Sequence, residues 1–60
     1  MQNIRYKIIM VDDNMAILSM GRSMLKTSYE VFPAPSADKL FEILESIIPD
    51  LILLDIEMPE

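Results

Sequence analysis

Sixty residues allow one domain at most, and a chain this short buries only about 60% of the surface its unfolded state exposes. Ten acids against five bases give a net charge of -5, which argues against direct contact of this segment with nucleic acid, while 52% apolar residues is the content of a folded protein. With no cysteine and no histidine, disulfides, thiolate sites and imidazole ligands are excluded, so any metal must be a hard cation held by oxygen.

Residues 1–7 carry Arg5 and Lys7 ahead of a brief apolar run that stops at Asp12-Asp13. This pattern is neither a signal peptide nor a membrane span, and the expected location is the cytoplasm. Ile8-Ile9-Met10-Val11 predicts a first strand ending directly on two acids. From Ala16 to about Thr27 the period changes. Ile17, Leu18, Met24 and Leu25, with Gly21 between them, mark one face of a helix capped by Asp13 or Asn14. On that face Gly21 would let the helix approach a sheet closely, and Lys26 in the last turn suits the helix dipole. Met10 and Met24 are expected in the core, with Met15 and Met20 outside it.

Tyr29-Glu30-Val31-Phe32-Pro33 predicts a second strand. Pro33 cannot donate to a central ladder, so this strand belongs at an edge. Ser36 is a good N-cap and Asp38 a first-turn acid for a second helix with Leu40, Phe41, Leu44, Ile47 and Ile48 inward, stopped by Pro49. Glu42 and Glu45 fall on its solvated face. Leu51-Ile52-Leu53-Leu54 is then a third strand, read as buried on both faces and ending on Asp55.

The order strand, helix, strand, helix, strand implies an α/β fold with a parallel sheet and right-handed crossovers. With the second strand at an edge, the sheet order is 2-1-3, and the chain reverses direction between strands 1 and 3. That switch point is where open parallel sheets place ligands. Asp12, Asp13 and Asp55 should converge there. Two carboxylates roughly 5 Å apart repel by about 3 kcal/mol at an effective dielectric near 20, and a divalent cation relieves this. Taken singly, Asp12 and Asp13 would end a strand and cap a helix, and Asp55 would be a loop acid. Only together do they favour a metal-binding carboxylate centre.

Asp12-Asp13 after the first strand and Pro49-Asp50-Leu51-Ile52-Leu53-Leu54-Asp55-Ile56-Glu57-Met58-Pro59 at the end make the chain resemble the N-terminal half of the receiver domain of two-component response regulators. The resemblance covers nearly all of residues 1–60. It implies a flavodoxin-like doubly wound fold, here truncated to β-α-β-α-β. It further implies that Asp55 is the phosphoacceptor, serving a histidine kinase, a phosphotransfer protein or a small donor such as acetyl phosphate. Mg²⁺ would be held by Asp13, Asp55 and the backbone carbonyl of Glu57, with Asp12 acting largely through water. Met58-Pro59 would shape the following loop. The family's sheet has five strands, in the order 2-1-3-4-5. Its hydroxyl residue on strand 4 and its lysine on strand 5 have no counterpart in this chain, and Lys7, Lys26 and Lys39 do not take that lysine's place.

The expected role is therefore a signalling module rather than a turnover enzyme, acting on an unspecified output domain or protein and contacting no membrane. One competing reading is a magnesium-dependent phosphatase with an aspartyl nucleophile, of the haloacid-dehalogenase type. Such enzymes carry Asp-x-Asp after their first strand, whereas Asp55-Ile56-Glu57 follows the third. Another is an interaction fragment that is not phosphorylated. With no strand beyond the third, its open edge is expected to favour self-association.

Overall fold

The computed structural model describes residues 4–55. Strand β1 (Lys7–Val11) leads into helix α1 (Met15–Leu25), strand β2 (Glu30–Ala34), helix α2 (Ala37–Leu44) and strand β3 (Leu51–Leu54). All three strands are parallel in the order β2-β1-β3, with Ile8 opposite Val31 and Leu51, and Val11 opposite Ala34 and Leu54. The truncated doubly wound arrangement expected from the sequence is thus present. Pro33 lies on β2 at the sheet edge, where its missing N–H costs no ladder bond.

Side chains alternate along β1, and each face takes one helix. Ile9 and Val11 form the core with Ala34, against which Phe32, Leu40, Ile43, Leu44, Ile47 and Ile52 pack beneath α2. Ile9 is completely buried, which is worth about 2–3 kcal/mol in apolar burial. On the other face Ile8 and α1's Leu18 are buried. Gly21 has the expected close approach: a Cβ there would collide with the thioether end of Met10.

Both helices begin as their sequences direct. Asn14 is the N-cap of α1, its side chain accepting from the Ala16 and Ile17 N–H groups, and Ser36 caps α2 by accepting from the Lys39 N–H. At the far end of α1 the Arg5 guanidinium donates to the carbonyls of Lys26 and Tyr29. Lys26 is the C-cap itself, and Arg22 is the basic residue of the last turn.

Several expected core positions lie elsewhere. Met24 and Phe41 are exposed, at 74% and 62%, as is Ile48. On α2 the expected Leu40 and Leu44 face the sheet with Ile43 in place of Phe41, and the expected Ile47 packs on the same core from just beyond the helix. Likewise α1 turns Leu18 inward, with Gly21 and Leu25 half-buried, while Ile17 is exposed. Helix α2 ends at Leu44, with Glu45 as C-cap, several residues before Pro49. Strand β3 is not buried on both faces. Ile52 packs on the core, but Leu51, Leu53 and Leu54 are exposed, because among the described residues neither helix lies over β3.

Candidate metal centre

The C-terminal ends of β1 and β3 meet at a shallow crevice of ≈370 Å³ lined by Met10, Val11, Asp12, Ile17, Leu53, Leu54 and Asp55. Its acids are held there by backbone bonds on both sides of β1. The Asp12 N–H donates to the Ala34 carbonyl on β2 at 3.1 Å, and the Asp55 N–H donates to the Val11 carbonyl at 3.0 Å. Val11 and Leu54 form the last rung of the ladder, so Asp12 and Asp55 leave the sheet side by side.

Asp12 is buried to 8% exposure, and a buried carboxylate needs partners. Its Oδ1 accepts the Asn14 N–H at 2.9 Å, which forms a tight turn into α1. Asn14 in turn caps that helix, so the two side chains together fix the loop that carries Asp13. Asp13 is exposed and Asp55 half-buried. The nearby N-terminus of α1 presents the positive end of a helix dipole to this negative cluster.

One carboxylate oxygen from each of Asp12, Asp13 and Asp55 lies within 4.8 Å of the other two. An octahedral Mg²⁺ site has ligand oxygens about 3 Å apart along an edge and about 4.2 Å across the diagonal. The donor set therefore fits a small hard cation, with some ligands bridging through water. The three acids come together, as the order of the strands predicts. The expected fourth donor, the Glu57 carbonyl, and the Met58-Pro59 loop lie outside the described residues.

The Pro49-Asp50 pair in the sequence carries no sign of a distant partner for Asp50. In the structure its carboxylate and amide both bond to the backbone of Lys7. The available signal was an aspartate following proline at a strand start, where a short acceptor can replace missing main-chain partners. Arg5 carried no comparable signal.

Two signalling proteins are similar to the chain over nearly its whole length. "Sensor histidine kinase TmoS" of Ectopseudomonas mendocina is 34% identical over 58 residues, which is 97% of this chain and 6% of that protein. "Sensory transduction protein BceR" of Halalkalibacterium halodurans is 32% identical over 56 residues, covering 92% of this chain and 24% of that protein. The chain thus spans a quarter or less of the length of these relatives. No family model and no solved structure matches it. Among the described residues no helix is long and apolar enough to cross a membrane.

Proposed function

We propose that the chain, which is similar to two-component signalling proteins and resembles the N-terminal half of a response-regulator receiver domain, is a phosphoacceptor module with Asp55 as the acceptor. The observation carrying this reading is the meeting of three carboxylates at the switch point of a parallel sheet, their oxygens within 4.8 Å. The donor is a phosphohistidine of a histidine kinase or phosphotransfer protein, or a small acyl phosphate.

In the proposed step an Asp55 carboxylate oxygen bonds to phosphorus while the P–N bond of phosphohistidine, or the P–O bond of acetyl phosphate, breaks in line. Imidazole or acetate leaves with the electron pair, and Asp55 becomes an acyl phosphate. Asp13, Asp55 and the Glu57 carbonyl would hold Mg²⁺. Asp12, with one oxygen already committed to the Asn14 N–H, would act through water. When bound, the cation offsets charge on the phosphoryl oxygens. The protein's own contribution is positioning: the bond from Asp55 to Val11 fixes the acceptor's backbone, and Ile17, Leu53 and Leu54 give the crevice apolar walls. The module takes part in its own phosphorylation and does not turn over.

Incubating the intact protein with Mg²⁺ and acetyl phosphate tests this by mass. A gain of about 80 Da, one phosphoryl group, is expected for the wild type and not for Asp55→Asn. Sustained phosphate release from unrelated esters would support an aspartyl phosphatase instead.

A further inference from the structure

The end of the β1–β3 ladder away from the acids is closed by a side chain. Lys7 opens β1. Its N–H donates to Asp50 Oδ2 at 2.8 Å, and its carbonyl accepts the Asp50 N–H, also at 2.8 Å. Residues 47–49 are not strand, so no main-chain ladder continues there beyond Lys7. The Asp50 carboxylate supplies the acceptor that another strand residue would have provided. Both bonds close on a single residue, and a slip of β3 by one position would break them together.

Register at this end decides geometry at the other. Lys7 and Asp50 are 43 residues apart, the separation shared by every rung from Ile8–Leu51 to Val11–Leu54 and by Asp12 and Asp55. A one-residue slip would turn the Asp55 side chain to the opposite face of the sheet. Packing alone gives little protection against such a slip. Strand β3 has four residues of nearly interchangeable shape, Leu-Ile-Leu-Leu, and Leu51, Leu53 and Leu54 are 50%, 40% and 61% exposed. We infer that Asp50 is a positioning residue for the acceptor centre, setting the β1–β3 register that places Asp55 beside Asp12. This rests on Asp55 belonging to a metal-binding phosphoacceptor centre.

The test is a Mg²⁺ titration of the intact protein followed through backbone amide resonances, so that only folded molecules are observed. Asp50→Asn keeps an oxygen able to accept from Lys7 and should bind Mg²⁺ within about twofold of wild type. Asp50→Glu keeps the charge but displaces the oxygen by one methylene, and should weaken binding about three- to tenfold, with Asp50→Ala at least as weak. A purely stabilising role would lower the unfolding midpoint of these variants and leave their affinity unchanged, which would overturn the inference. So would Asp50→Asn binding as weakly as Asp50→Glu. If Asp50→Ala does not fold, the Asn and Glu variants decide the matter alone. Absence of Mg²⁺ binding in the wild type would remove the functional reading and this inference with it; wild-type binding with unaffected variants removes the inference only.

Discussion

The Asp55 N–H donates to the Val11 carbonyl at 3.0 Å, so Asp55 is tied to the strand whose next two residues are Asp12 and Asp13. A bond one residue beyond the last rung thereby joins the sheet to its chemistry. It also commits three like charges to one place.

That commitment has a stability cost without metal. Charges within 4.8 Å repel by about 1 kcal/mol even at the dielectric of water, a suitable scale for exposed Asp13. Asp13→Asn should therefore stabilise the metal-free protein by about 1 kcal/mol and abolish the stabilisation that added Mg²⁺ gives the wild type. Urea unfolding with and without Mg²⁺ measures both effects.

The two apolar positions Ile9 and Phe41 should differ sharply in their response to truncation. Ile9→Ala removes a completely buried side chain from the central strand and should cost about 2–5 kcal/mol, enough to unfold a marginal domain. Phe41, 62% exposed, should change stability by no more than about 0.5 kcal/mol when replaced by alanine. Denaturant midpoints compare the two directly.

This contrast also marks how far the sequence could be read. The strands, their order and the meeting of the acids were legible because Pro33 identifies an edge and because Asp12-Asp13 and Asp55 follow apolar runs directly. Asn14 and Ser36 announced their helices through ordinary capping chemistry. The helix faces were legible only in part. Leu40, Leu44 and Ile47 fit a stripe flanked by Phe41 and Ile48 or one flanked by Ile43, and periodicity cannot choose between flanks. The structure chooses Ile43, and in α1 it favours Leu18, Gly21 and Leu25 over Ile17 and Met24. Which flank is covered depends on where the helix sits over a narrow three-stranded sheet. Local spacing carries no such information. The role of Asp50 was hidden for a related reason, since its partner Lys7 is 43 residues away.

The loop that presents Asp13 depends on Asn14. Replacing Asn14 by alanine removes the acceptor for the Ala16 and Ile17 N–H groups and should cost about 1 kcal/mol. Because the same loop carries a proposed metal ligand, Mg²⁺ affinity should fall as well. Thermal unfolding and a Mg²⁺ titration of Asn14→Ala check the two expectations separately.

The Lys39–Glu42 pair at 2.8 Å should contribute little, since both side chains are well exposed. The hydrogen bond from Lys39, together with its charge, holds the Glu42 carboxyl below its ordinary value. A carboxyl lowered on folding adds stability above its unfolded pKa and loses it as pH falls through the folded one. Glu42→Gln should nonetheless leave the thermal midpoint unchanged within error at neutral pH, and the acid limb of the stability profile nearly so.

If Asp55 carries the phosphoryl group, the modification can be located chemically. After treatment with Mg²⁺ and acetyl phosphate, borohydride reduction of an aspartyl phosphate leaves homoserine, which peptide mass spectrometry assigns to a residue. Homoserine at position 55 is the predicted result. Unmodified Asp55 in the intact protein, or modification at Asp12 or Asp13 instead, would contradict the account.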